Sequence, residues 1–262
     1  MTARRARPVR GNRGERCPLF LDSLPRPRVV AIVPARRAST RLPDKMLADL
    51  DGEPVIVRTW RRVMSAKLDE VLVATDDDEI AAAVSAVGGV VVRTGPADNG
   101  TQRVAEAARD LAADVIVNVQ GDEPLVSTDS IHRIVQGLCD ADGVGFSVST
   151  GAAPLAAAEA HNPARVKVVT DRDGRALAFS RRAIPFAGPW SVHVGVYAFR
   201  AQVLRELVVL PATANEMAER LEQLRWLDHG VAIRVVAVES PGLSIDTAED
   251  LARVRAILVG AR

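Results

Sequence analysis

The sequence predicts an α/β fold: a mostly parallel sheet with helices on both faces and a smaller antiparallel insertion. Three observations carry it. Short apolar runs of strand length alternate with amphipathic stretches of helical length through the first half of the chain. Glycine pairs and Asp-Gly steps fall at the joints between them. In the second half the strand-like runs crowd closer, and Asp173-Gly174 between two of them reads as a hairpin turn.

The elements follow in order. Residues 29–33 form a continuous apolar run, the mark of a buried strand. After the Asp51-Gly52 turn, 53–67 suits a helix and 70–75 a strand. Residues 77–87 read as helix, and Gly88-Gly89 turns the chain into a strand at 90–93. A helix at 102–112 and an apolar strand at 115–119 complete the βαβ series. Strands are then expected at 144–149, 166–170, 176–179 and 192–199. An amphipathic helix at 215–228, a strand at 233–238 and a closing helix at 248–258 end the chain.

A length of 262 residues allows one large domain or two small ones. With 48% hydrophobic and only 3% aromatic residues, the core is ample and built of Val, Ala and Leu. The 34 basic and 33 acidic residues leave a net charge of +1, which argues against nucleic acid as a partner. No apolar run approaches the ~20 residues of a membrane span. Cys17 and Cys139 show no metal spacing, and reduced thiols in a cytoplasmic protein are expected. Residues 1–28 are rich in Arg and Pro and lack a signal-peptide core. They read as a disordered extension or a misassigned start, a basic interaction tail being the lesser alternative. The folded unit is then 29–262.

The first strand opens into a loop holding Arg36, Arg37, Ser39, Arg41 and Lys45. Ligands of open α/β sheets sit at the carboxyl ends of strands, and cationic side chains there suit phosphates. The loop has neither the Walker A glycines nor G-x-G-x-x-G, so what remains is a side-chain-built triphosphate clamp. Asn118-Val-Gln-Gly-Asp-Glu-Pro124 follows the fourth strand and places Asp122 where a hard divalent cation can be held. Asp246, after the last strand, has two readings. It is a second metal carboxylate, or it belongs to a helix start in which Thr247 and Asp250 resemble a capping box. Asp76, at the end of the second strand, is read as structural, bordering the nucleotide. Asn99-Gly-Thr-Gln-Arg103 looks like a glycine-opened helix start where N–H groups and Arg103 meet an anion.

Together with Phe179-Ser-Arg181, His193-Val-Gly-Val-Tyr197, Leu221-Glu-Gln-Leu-Arg225 and Asp246-Thr-Ala-Glu-Asp-Leu251, these motifs make the chain resemble the 3-deoxy-manno-octulosonate cytidylyltransferases, the CMP-KDO synthetase family, from about residue 29 to 258. The resemblance implies a GT-A-like nucleotidyltransferase fold, a homodimer, CTP as donor, Mg²⁺ as cofactor and a 3-deoxy-2-keto sugar acid as acceptor. It implies that Arg36, Ser39, Arg41 and Lys45 hold the triphosphate. Gly100, Thr101, Arg103 and Gln120 then lie on the nucleotide side. Asp122 and Asp246 are the metal carboxylates and, with Lys45, the catalytic set. Arg181, His193, Tyr197, Glu216, Glu219 and Gln223 fall on the sugar-acid side.

The departures cluster on that side. Gln102 stands for the family's Glu, Asp44 for Gly, Val192 for Arg and Asn215 for Leu, and the segment before His193 is short. Alternatives are therefore a CMP-transferase for another acid sugar, such as an 8-amino analogue, or a non-catalytic nucleotide-binding homologue. A glycosyltransferase using a finished nucleotide sugar is disfavoured, because Gly-Asp-Glu stands where a D-x-D motif is expected.

Overall fold

The computed structural model describes residues 26–39, 41–140 and 145–260. Most of the expected N-terminal extension, with Cys17, lies outside them. The strands are β1 (Val29–Pro34), β2 (Glu70–Thr75), β3 (Val90–Arg93), β4 (Val115–Asn118), β5 (Val148–Leu155), β6 (Lys167–Thr170), β7 (Ala176–Ser180), β8 (Trp190–Arg200) and β9 (Ile233–Ala237). The helices are α1 (Val55–Met64), α2 (Asp78–Ser85), α3 (Gly100–Ala107), α4 (Thr128–Cys139), α5 (Ala201–Leu207), α6 (Ala214–Glu219), α7 (Glu222–Asp228) and α8 (Ala248–Gly260).

The sheet runs β3-β2-β1-β4-β8-β5-β9. β1 to β4 are mutually parallel, β8 is antiparallel to both β4 and β5, and β9 is parallel to β5. The β6–β7 hairpin pairs with β8 and forms the small antiparallel insertion. Gly174 turns that hairpin at φ +77°, a conformation that only glycine adopts freely.

Strand alternation sets the two faces. Ala31 and Val33 of β1 join one core with Trp60 of α1, Ile80 of α2 and Ile134 of α4. Val30 and Ile32 join the other with Val104 of α3, Leu204 of α5 and Trp226 of α7. A third cluster packs Leu251 and Val254 of α8 against Leu50 and Val55 at the start of α1.

Four expectations are corrected. The helix α4 was not anticipated, although Ile131, Ile134 and Leu138 repeat at helical spacing and all face the core. Gly137 interrupts the pattern, and a Cβ there would stand 2.4 Å from Val236 Cγ1, so close packing on β9 requires it. The short α5 was likewise missed. The single helix expected at 215–228 is two, because Arg220 is left-handed at φ 55°. The carbonyls freed at the end of α6 are taken by Arg181, whose Nε donates to Glu219 O and Nη2 to Arg220 O. The strand expected at 144–149 begins at Val148 instead, and residues 141–144 lie outside the description.

Candidate active site

Two close approaches build the site. Gly121, just beyond β4, has no room for a side chain: a Cβ would stand 2.8 Å from Pro34 O at the end of β1. The loop after β4 therefore lies directly on the loop after β1. Asp122 O also accepts from Ile245 N at 2.8 Å, which draws in the segment ahead of α8. Three chain segments far apart in sequence are thus held at one end of the sheet.

Between them lies a cavity of ≈ 420 Å³ lined by the loop cations Arg36, Arg41 and Lys45, with Ser39, by Gly100, Arg103 and Gln120, and by Asp122 and Asp246. Nine of the residues singled out from the sequence meet there. Lys45 Nζ lies 2.5 Å from Asp122 Oδ2 and 3.1 Å from Asp246 Oδ1, and Arg41 Nη2 lies 2.9 Å from the same Asp246 oxygen. Burial works to lower the Lys45 pKa, but the two carboxylates outweigh it and hold the ammonium above its ordinary value. Lys45 is therefore a fixed cation.

The capping question at Asp246 is answered by geometry. Thr247 Oγ1 accepts from Asp250 N at 3.1 Å, and Asp250 Oδ2 accepts from Thr247 N at 2.9 Å and Asp246 N at 3.1 Å. The helix start is capped by its neighbours, and the Asp246 carboxylate is turned to Lys45 and Arg41. Two carboxylates converging on one cation, beside a loop rich in arginine, fit Mg²⁺, which takes one or two carboxylates plus substrate phosphates.

Glu123 was missed in the sequence, yet it is buried beside this pair. Burial first, then the charges of Asp122 and Asp246, push its carboxyl up to about 8.

Other residues have roles that the sequence did not disclose. Arg37 leaves the clamp: it pairs with Asp44 at 2.7 Å and with Glu79, bracing the loop against α2. Asp44 sits at φ 53°, so the acid in place of the family's glycine keeps the left-handed backbone. Arg103 lines the cavity, but its guanidinium is buried against Asp76 Oδ2 at 2.9 Å and Thr94 Oγ1 at 2.6 Å. Asp76 is thereby structural. Asn99 caps α3 by accepting from Gln102 N at 2.9 Å, and Thr101 donates to Glu222 Oε2 at 2.6 Å. Asn99 and Gly100 at the start of α3 line the cavity, while Thr101 is engaged by Glu222. Gln102 Oε1 accepts from Asp98 N and does not line the cavity.

The sugar-side residues are more dispersed. His193 lies in ring contact with Phe179 and Tyr197 at 5.1 and 5.4 Å. Burial pushes its pKa down to about 3, so it is neutral. Its Nε2 lies 3.0 Å from Thr150 Oγ1, whose one proton is directed to main-chain oxygens of Val194 or Val196. Tyr197 stands edge-on to Trp226 of α7, the helix that also carries buried Gln223. Burial and then Glu222 raise the Tyr197 phenol well above its ordinary value.

Glu216 is held bidentate by Arg225 at 2.6 and 2.7 Å and closes a capping box with Thr213. Arg181 is bonded to main-chain oxygens of Glu219, Arg220 and Pro163, while Glu219 accepts from Ser180 Oγ and Arg181 N. Arg181 and Glu219 line a second depression, of ≈ 590 Å³, which shares no lining residue with the first. Lys167, left open in the sequence, is fully buried and donates to the carbonyls of Asn162 and Arg181.

Comparison with known proteins places this geometry. The family model described as Cytidylyltransferase matches residues 30–233. The 3-deoxy-manno-octulosonate cytidylyltransferase of Anaeromyxobacter sp. (strain Fw109-5) is 49% identical over 240 residues, covering 88% of this chain and 97% of that protein. The same enzyme of Chlorobium chlorochromatii (strain CaD3) is 46% identical over 239 residues, covering 87% and 96%. Among solved structures, a CMP:2-keto-3-deoxy-manno-octonic acid synthetase complexed with CTP is similar at 37% identity and a TM-score of 0.85, covering 90% of this chain and 100% of that one.

Proposed function

The chain belongs to the cytidylyltransferase family, among the 3-deoxy-manno-octulosonate enzymes, and on that premise we propose that it transfers CMP from CTP to the anomeric hydroxyl of KDO or a close relative. The observation that carries the reading is the convergence of Asp122 and Asp246 on Lys45, in one cavity with Arg36 and Arg41.

In this reaction a bond forms between the anomeric oxygen and the α-phosphorus, and the bond from that phosphorus to pyrophosphate breaks. The hydroxyl proton leaves to water. Positioning and charge neutralisation dominate such transfers. Arg36, Arg41 and Lys45 hold the β- and γ-phosphates and stabilise the departing pyrophosphate. Ser39 donates to a phosphate oxygen, and Gln120 borders the nucleotide and sugar. Asp122 and Asp246 are the carboxylates that would hold Mg²⁺, which when bound polarises a phosphate oxygen and acidifies the attacking hydroxyl.

On the acceptor side, neutral His193 and Tyr197 act as hydrogen-bonding groups rather than as bases. Gln223 extends that side from α7. Arg181, Glu216 and Glu219 shape it through the ends of α6, since Glu216 is paired with Arg225 and the other two are hydrogen-bonded within the protein. Residues 29–262 act as one unit in this reading. A homodimer belongs to it as well, supported by Phe186, which stands 96% exposed beside the second depression. No described helix is long and apolar enough to cross a membrane, and a cytoplasmic site of action is part of the same reading.

The test is pyrophosphate release from CTP and Mg²⁺ with KDO, its 8-amino analogue and N-acetylneuraminate. Turnover with KDO is expected, and Asp122→Asn is expected to lower it by at least ~10²-fold, as when one preorganised electrostatic group is lost. CTP binding without turnover on KDO would sink the assignment and favour another acid sugar or a silent homologue.

A further inference from the structure

Asn118 closes β4 at its carboxyl end and is 1% exposed. In the sheet it stands between Ile32 of β1 and Tyr197 of β8. Opposed residues on neighbouring strands share a face, and here both neighbours belong to the apolar core that also holds Phe199 and Trp226. A primary amide in such surroundings is stable only when both of its ends are hydrogen-bonded.

One end is. Asn118 Oδ1 accepts from Gln120 Nε2 at 3.0 Å, whereas Asn118 Nδ2 is buried with no partner among the described residues. A buried donor without an acceptor is destabilising, and an apolar side chain of the same shape would remove that penalty. Packing therefore does not explain an asparagine here. Its one satisfied contact does, because Gln120 lines the cavity.

The Gln120 amide also lies against the backbone of Gly100, where a Cβ would stand 3.1 Å from Oε1 and 3.4 Å from Nε2. Gly100 thus leaves space for the amide, and Asn118 holds one end of it. With Nε2 directed to Asn118, Oε1 is the end left to meet a ligand. We propose that Asn118 is a positioning residue that sets the polarity of Gln120, so that the cavity presents an acceptor to a ligand hydroxyl. The inference deepens the proposed function and rests on it for the identity of the ligands. Two sources supply a hydroxyl at this place, the ribose of CTP and the sugar acid.

A double-mutant cycle tests it. Asn118→Leu and Gln120→Ala are made singly and together, with Asn118→Ala as a second probe in case leucine overfills the site. Three quantities are read: melting temperature, the CTP dissociation constant by calorimetry without acceptor, and KM and kcat for the acceptor. Asn118→Leu is expected to leave the melting temperature unchanged or higher. It is expected to weaken one ligand by about 2–10-fold, the usual reach of one neutral hydrogen bond.

A weakened CTP dissociation constant identifies the ribose, and a raised acceptor KM with CTP binding intact identifies the sugar acid. In the Gln120→Ala background the Asn118 change is expected to add nothing. An equal further loss in that background overturns the inference, as does a lowered melting temperature with neither ligand affected. If the wild type turns over no acceptor, the proposed function fails. The inference is then decided by CTP binding alone, and an unchanged dissociation constant in Asn118→Leu overturns it.

Discussion

Lys45 shows how much one side chain arranges here. Its ammonium sits between the Asp122 and Asp246 carboxylates at 2.5 and 3.1 Å, and its side chain is 12% exposed. Two carboxylates brought this close repel unless a cation separates them. Removing the ammonium in Lys45→Met leaves Asp122 without its cation and Asp246 with Arg41 alone. The expected cost is about 1–3 kcal/mol, below the range for a fully buried pair because Asp246 is one-third exposed. Thermal melts check this, and they carry a second readout. Mg²⁺ should raise the melting temperature of Lys45→Met more than that of the wild type, since a bound dication fills the same gap. An equal response of both proteins would show that the two carboxylates do not share a metal.

At the scale of the element, α4 and the α6–α7 break show tertiary packing overriding local preference. Gly137 is poor in a helix interior, by about 1 kcal/mol against alanine. Helix propensity alone therefore predicts that Gly137→Ala stabilises. The structure predicts the reverse, because the new methyl group meets Val236 Cγ1 at 2.4 Å and Ser149 Oγ at 3.2 Å. The expected loss is about 1–3 kcal/mol, the usual cost of overpacking, read as a lower urea midpoint at unchanged slope. A raised midpoint would mean that α4 and β9 separate easily. The break at Arg220 has a comparable origin. The sequence at 215–228 is amphipathic throughout, so periodicity gives no warning. What ends α6 is Arg181, reaching from the end of the β6–β7 hairpin to the carbonyls of Glu219 and Arg220.

For the whole molecule, stability should depend on pH through His193. Its folded-state pKa is about 3, against 6.5 when exposed. Above pH 6.5 the ring is neutral in both states and contributes no pH dependence. As pH falls from 6.5 towards 3, the unfolded chain takes up a proton that the folded chain refuses, and stability drops at up to ~1.4 kcal/mol per pH unit. His193→Gln retains a hydrogen-bonding group towards Thr150 and removes the titration. The difference between the two denaturation free energies should therefore shift steadily below pH 6.5 and stay constant above it. Parallel curves throughout would show that the ring is protonated in the fold. The same scale separates what was legible in the sequence from what was not. Strand length, the alternation of strands with helices and turn residues determined β1 to β4, their parallel sense and the loop that follows β1, because these depend on patterns local in sequence. The cationic loop and Asp122 were legible because their residue types and their place after a strand carry the chemistry, whereas Asp246 had two readings until the family resemblance favoured one. Which cations line the cavity was decided by tertiary structure alone. Arg37, Arg103 and Arg181 read as Arg36 and Arg41 do in one dimension. Partners distant in sequence — Glu79, Asp76 and the carbonyls of Glu219 and Arg220 — engage the first three, so that Arg37 and Arg181 lie outside the cavity and Arg103 lines it with its guanidinium already bonded. Burial acts in the same way on Glu123 and His193, whose charge is set by surroundings that only the assembled sheet and helices provide.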